Sequence, residues 1–174
     1  GPLLVALLAS LRGTPCIYQG EELALTEAII PYERLQDPYG IRFWPEFRGR
    51  DGARTPMPWS ESAPHAGFSD AEPWLPVAPE HAARAVNVQE RDPDSPLNRV
   101  RAFLRWRRER PELARGAIAF HDAPEPILAF ERSLDGARTL CVFNLGPDPA
   151  AFDAGGLGPL APLGGHGFSG APAG

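Results

Sequence analysis

The sequence offers little to a metal, a membrane or a nucleic acid. Cysteine occurs only at Cys16 and Cys141. Two thiols so far apart read as buried free cysteines, not as a disulfide or a metal pair, and they lean towards a reducing compartment, the cytoplasm. The histidines, His65, His81, His121 and His166, are scattered, and their spacing gives neither a metal site nor a catalytic relay. No metal and no cofactor is implied. No apolar run approaches about 18 residues, so no membrane helix is expected. The opening GPLLVALLASLRG is apolar but has no basic n-region, and it runs into folded-looking sequence; it is not read as a signal peptide. Asp and Glu outnumber Lys and Arg by 22 to 17, a net charge of -5, which leaves no basic footprint for nucleic acid.

What is present is an ordinary apolar share, 43% of 174 residues, with clustered proline and glycine, 21 and 18. That length suits one domain, or one domain and part of another. Residues 3–11 read as a helix, with Leu4, Leu7, Leu8 and Leu11 at helical spacing, stopped by Gly13 and Pro15. Residues 16–19 then form a short β-prone run bounded by Pro15 and Gly20. Helix, tight turn and strand in that order belong to an α/β protein.

From Gly20 to about Pro93 no long periodic segment follows, only short helical turns such as one near residues 37–43. Irregular stretches of that length are usually functional or disordered. Trp44, Phe47, Trp59, Phe68 and Trp74 argue against disorder, which is poor in aromatics. The clearest helix comes next. Ser95 suits the N-cap and Pro96 the first helical position. Leu97, Val100, Phe103, Leu104 and Arg107 share one face, arginines crowd the last turns, and Pro111 ends the helix. Beyond Gly116 the runs 117–120, 127–132 and 139–144 read as antiparallel strands, the last two joined at Asp135-Gly136, with Phe152 opening a fourth. The tail from Gly155 is Gly, Pro and Ala and is expected to be loose. No repeat is visible.

One stretch of the irregular region is unusual. GRDGARTPMPW, residues 49–59, packs two arginines, an aspartate, two prolines and a tryptophan into eleven residues. It is too polar for core and too rich in Pro and Gly for a helix or a central strand. Taken with GTPCIYQGEEL, LQDPYGIRFWPEFRGRDGARTPMPW and SPLNRVRAFLRWRRERPEL, it carries a resemblance. In order and spacing the three blocks resemble the last third of an alpha-glucosidase of the alpha-amylase clan, glycoside hydrolase family 13, of the oligo-1,6-glucosidase type. The resemblance implies an α/β plus all-β fold. Its first part is the last strand and helices of a TIM (β/α)8 barrel, residues 1–113: seventh helix, eighth strand, long loop and eighth helix. An antiparallel β-sandwich domain would start at 114–154, and 155–174 would be a flexible tail. The long loop then follows a barrel strand, where such barrels build their active sites.

Glycoside hydrolysis needs two carboxyl groups, one a nucleophile and one a protonated acid. In the family these are an Asp and a Glu, helped by a second Asp, at the ends of the fourth, fifth and seventh strands, and its last motif ends in Asn-His-Asp. No Asn-His-Asp occurs here, and a whole barrel takes roughly 250 residues. The resemblance therefore implies a fragment with no catalytic residue, inactive alone, whose partner is the missing N-terminal barrel portion.

What remains is substrate recognition. In the family an arginine of this motif lines the pocket for terminal glucose, paired with an Asp from an early barrel loop that this chain does not contain, and that role is carried to Arg54 and, second, to Arg50. Guanidinium donors suit sugar hydroxyls; the competing reading has both arginines only stapling the loop. Glu21, Glu22, Asp37 and Asp51 read as loop organisers. Trp44, Trp59 and Trp74 either stack on sugar or, the favoured reading, pack under the loop. Asn87 and Gln89 are open between the two roles. The function implied is hydrolysis of terminal alpha-linked glucose from short oligosaccharides or sucrose. The rivals are a transglucosylase or isomerase, of trehalose synthase or sucrose isomerase type, and a non-catalytic carbohydrate-binding module.

Overall fold

The computed structural model of the protein describes residues 1–168. The chain divides into two units, one made of Ile17–Asn98 with Gly1–Pro2, the other of Leu3–Cys16 with the chain from Arg99 onward.

In the first unit regular structure is sparse. Helices α2 (Pro38–Arg42), α3 (Pro79–Ala82) and α4 (Val86–Gln89) follow the helix α1 (Pro2–Ser10) in sequence, with 3-10 turns at Tyr32–Arg34, Asp51–Ala53 and Pro64–Gly67. The turn expected near residues 37–43 is α2, with Asp37 as its cap: the carboxylate accepts the Tyr39 N–H at 3.1 Å and Pro38 follows at the first position. Ala28, Ile30, Leu35 and Ala78 form a small core, with Trp44 packed against it. The order of this long segment comes mainly from polar side chains that satisfy loop backbone.

Residues 16–19 do not form a strand among the described residues. A strand exists through its ladder of hydrogen bonds, and this run has no neighbour to pair with. Its β-prone composition is present; the pairing is not. Cys16 is exposed rather than buried, and both cysteines are free.

The second unit has a conventional core. Phe103 from helix α5 (Pro96–Arg108), Ala6 and Ala9 from α1, and Phe130 and Phe143 from the sheet close on one another. α6 (Pro111–Arg115) leads into a sheet of β1 (Ala117–His121), β2 (Ile127–Leu134) and β3 (Ala137–Asn144), antiparallel in the order β1-β2-β3. β2 and β3 join at Asp135 and Gly136, whose φ values of +49° and +86° suit a two-residue hairpin turn. Ser95 caps α5, accepting the Asn98 N–H at 3.2 Å. No fourth strand begins at Phe152 among the described residues: Gly155, Gly156, Gly158 and Pro159 follow within seven positions and leave no run suited to a ladder. Residues 155–168 lack regular structure, yet Trp106 donates to the Gly164 carbonyl at 2.9 Å and Phe168 packs edge-on against Phe103. The rest of the tail, 169–174, lies outside the described residues.

Two arginines occupy positions that pattern alone would give to apolar residues. Arg107 shares the apolar face of α5 because its Nε donates to the Ala9 carbonyl at the end of α1, at 2.5 Å. Arg132 follows Leu128 and Phe130 in the inward period of β2 and is fully buried. Its guanidinium donates to the carbonyls of Ser10, Leu113, Gly116 and Ala117. Two of these end helices, α1 and α6, where orphan carbonyls gather and a cation is favoured. Burial pushes the Arg132 pKa down from its ordinary value. The nearby Cys141 thiol is pushed up to about 11, mainly by burial.

α1 is apolar all round, a pattern normally covered on every side. Val5, Ala6 and Ala9 are buried, whereas Leu3, Leu4 and Leu8 are exposed, as are Tyr18 and Ile29 in the other unit.

Candidate functional site: an arginine turn on two buried carboxylates

The motif 49–59 is built on Asp37 and Asp51, both buried. Asp51 Oδ2 accepts the backbone N–H of Gln36 at 2.6 Å and of Asp37 at 2.7 Å. Asp37 in turn takes Arg50: Oδ2 accepts Arg50 Nε at 2.8 Å and its backbone N–H at 2.9 Å, and Oδ1 accepts Nη2 at 3.1 Å. The Arg50 fork over Asp37 holds that carboxyl far below the usual carboxylate range, against the opposing push of burial, with the Tyr39 and Arg50 N–H groups adding to the effect. The same pair raises Arg50. So Asp37 and Asp51 organise the loop, as their sequence setting suggested, and Arg50 is a staple in it. The Arg50 guanidinium also lies over Tyr39, 5.6 Å from the ring centre, although 56% of its side chain stays open to solvent.

Backbones meet closely here. A Cβ at Gly40 would stand 2.6 Å from the Arg48 carbonyl, and one at Gly49, where φ is +78°, would lie 2.9 Å from Gly40 Cα. A Cβ at Gly52 would stand 2.3 Å from the Ala28 carbonyl, and Gly52 O accepts the Ala28 N–H at 3.0 Å. The turn is thus held on both flanks.

Arg54 ends that turn. Its backbone N–H donates to the Asp51 carbonyl at 2.9 Å. Its side chain is exposed, and no hydrogen bond or ion pair engages the guanidinium among the described residues. Behind it Thr55, Pro56 and Pro58 are buried. His81, also buried, donates Nε2–H to the Thr26 carbonyl at 2.9 Å and sets Nδ1 3.5 Å from the Thr55 hydroxyl. The two arginines of the motif therefore differ in setting: Arg50 pairs with Asp37 inside the loop, and Arg54 projects from it.

The other sequence candidates fall mostly to structural roles. Glu21 accepts the Tyr18 N–H at 3.1 Å and Glu22 the Gly20 N–H at 2.9 Å, ordering the turn. Asn87 Oδ1 accepts the Glu61 N–H. Gln89 is buried: its amide donates to the carbonyls of Leu23 and Arg84 and accepts the Leu97 N–H, tying the loop to the start of α5. Trp44 packs under the loop, 5.7 Å from the Tyr32 ring, whereas Trp59 and Trp74 are exposed. An open groove of about 340 Å³ beside the motif is lined by Glu27, Ile30, Glu46, Phe47, Arg48 and Gly52, among others, and by neither Arg50 nor Arg54. Among the described residues no group of three or more His, Cys, Asp or Glu is placed to hold a metal ion, and no helix is long and apolar enough to cross a membrane. The bracketing role of His81 had no legible signal, and that of Gln89 could not be told from a sugar-reading one, because their partners lie 55 and 66 residues away.

The Asp37–Arg50 pair has a definite acid dependence. A carboxyl whose folded pKa is depressed adds stability above its unfolded pKa, about 4, and loses that contribution as pH falls towards the folded value. The Tm difference between the protein and its Asp37→Asn variant should be level from about pH 5 to 8 and shrink below about pH 4. A difference that instead vanishes near pH 6 would mean that Asp37 is not held by Arg50.

A short apolar helix, a long arginine-bearing loop, a capped helix and then an antiparallel sheet is the succession expected where a (β/α)8 barrel gives way to a C-terminal sheet domain. Comparison with known proteins makes this specific: the chain belongs to the alpha-amylase family, whose profile "Alpha amylase, catalytic domain" matches residues 1–116. A relative from Rhizobium meliloti, described as a probable alpha-glucosidase, is 55% identical over 166 residues, 95% of this chain and 30% of that protein. An oligo-1,6-glucosidase of Halalkalibacterium halodurans is 34% identical over 163 residues, 82% of this chain and 28% of that protein. The crystal structure of an alpha-glucosyl transfer enzyme superposes with a TM-score of 0.83 at 58% identity, over 88% of this chain and 29% of that one. The two curated relatives are glycoside hydrolases of that family, and the chain spans about 30% of their length.

Proposed function

We propose that this chain is the closing segment of an alpha-glucosidase barrel, that Arg54 grips the terminal glucose of a short oligosaccharide or sucrose, and that the acids which cut the bond lie on other polypeptide. The observation that carries this reading is the contrast within the motif: two arginines four residues apart, one locked onto a buried carboxylate and the other exposed at the end of a fixed turn. A charged donor held at the rim of a loop and left unpaired is suited to a ligand. The division into a barrel-derived part at 1–113 and the start of a sheet domain at 114–154 belongs to the same reading, and the family profile's end at residue 116 supports it. So do the open leucines of α1 and the unpaired run 16–19, which suit a barrel's other elements as partners. Two free thiols fit a cytoplasmic setting.

A second reading keeps the family and changes the acceptor: transfer of glucose to another sugar instead of water. The alpha-glucosyl transfer enzyme, at 58% identity, favours it.

The test is a chimera in which this chain replaces the matched 166 residues of the Rhizobium meliloti relative, called here the completed enzyme. It should release the chromophore from a chromogenic alpha-glucoside, while the 174-residue chain alone should not. Turnover by the chain alone, or a chimera equally silent, contradicts the proposal. Product analysis with maltose or sucrose separates hydrolysis from transfer.

A further inference from the structure

We infer that Asp37 and Asp51 are positioning residues for Arg54, with Arg50 as the clamp that completes their frame. The inference rests on the reading of Arg54 as the glucose-gripping side chain, and deepens it.

Asp51 is the hub. Its carboxylate holds the Gln36 and Asp37 N–H groups, and its carbonyl accepts the Arg54 N–H, so one residue grips both the segment before α2 and the turn that ends at Arg54. Asp37 closes the ring from the other side, taking three donors from Arg50, the residue immediately before Asp51. Oδ1 of Asp51 is buried with no hydrogen-bond partner, so this carboxylate is kept in place at the cost of an unsatisfied oxygen. The near-contact of Gly40 with Arg48 and Gly49, and of Gly52 with Ala28, leaves the turn no room to shift sideways. Every part of the Arg50–Arg54 turn is thus fixed except the Arg54 side chain.

Such a frame acts on binding through population. If the turn adopts its grip-competent form only a fraction of the time, the apparent Kd rises by the inverse of that fraction, while the chemistry of bound substrate is unchanged. Weakening the frame should raise KM and spare kcat, and should matter only while Arg54 is present. A residue that merely stabilises the fold would not show that dependence.

The experiment is a double-mutant cycle in the completed enzyme with maltose as the probe. Asp37→Asn keeps the shape of Asp37 and removes the charge that Arg50 grips. It should raise KM about fivefold with kcat within about twofold. In the Arg54→Ala background the same change should alter KM less than about 1.5-fold. Arg50→Lys, which keeps the charge and loses the two-pronged fork, should give a smaller KM rise that also vanishes in that background, and it serves if Asp37→Asn does not fold. Equal effects in both backgrounds, or none in either, overturn the positioning role. If Arg54→Ala itself leaves KM and kcat unchanged, the underlying assignment of Arg54 has failed instead.

Discussion

Replacing Arg54 with alanine in the completed enzyme should lower kcat/KM on maltose or sucrose about a hundredfold. The guanidinium is exposed at the end of a braced turn and engaged by nothing among the described residues, which leaves donors for a ligand. Hydrogen bonds from a charged group contribute about 1.5–3 kcal/mol each, and every 1.4 kcal/mol is roughly tenfold. Two such bonds to glucose hydroxyls, taken at the lower end of that range, about 3 kcal/mol together, give the stated factor. KM should rise and kcat should fall, because a residue that fixes the sugar also fixes the bond to be cut. Arg54→Lys should recover only part of the loss, since one ammonium cannot reproduce a planar fork. Unchanged turnover in the alanine variant would remove Arg54 from the site.

The second large effect lies in the other unit and concerns stability. Arg132→Met preserves bulk and removes the donors that Arg132 itself extends to the carbonyls of Ser10, Leu113, Gly116 and Ala117. An orphaned buried acceptor costs about 1–3 kcal/mol. Arg107 still reaches Leu113 O, at 3.4 Å, which softens one of the four losses. A net cost of roughly 4 kcal/mol is expected, a large share of the stability of a small unit. Thermal unfolding followed by circular dichroism should show that unit melting at least about 15 °C earlier. A shift under about 3 °C would mean that a methionine packs there as well as the arginine does, an outcome known for some buried ionic groups. Both variants are informative together: one should lose activity and keep its Tm, the other should lose Tm first.

Much of the chain could be read from local pattern. Pro96 behind a serine cap predicted α5, and the Asp135-Gly136 pair predicted the hairpin, because each signal acts over a few residues and needs no distant partner. The Asp-Pro pair at the start of α2 works in the same way. What was not legible is whatever depends on a partner far along the chain. Arg50 stands second to Arg54 as a sugar binder in the sequence; only the fold shows that Asp37, thirteen residues earlier, takes up its fork. Arg132 breaks an inward apolar pattern for a reason visible only when the ends of α1 and α6 converge on it. The run 16–19 shows the reverse limit: strand composition without a neighbour remains an unpaired segment. His81 reads as a scattered histidine and Gln89 as a residue open between two roles; both prove to be buried brackets.

The most direct measurement is a crystal structure of the completed enzyme soaked with glucose. The predicted result is a sugar at the mouth of the barrel with an Arg54 nitrogen about 3 Å from one of its hydroxyls, and Arg50 still locked on Asp37. Glucose seated with Arg54 turned away, or with Arg50 swung off Asp37 to hold the sugar in its place, would contradict the account.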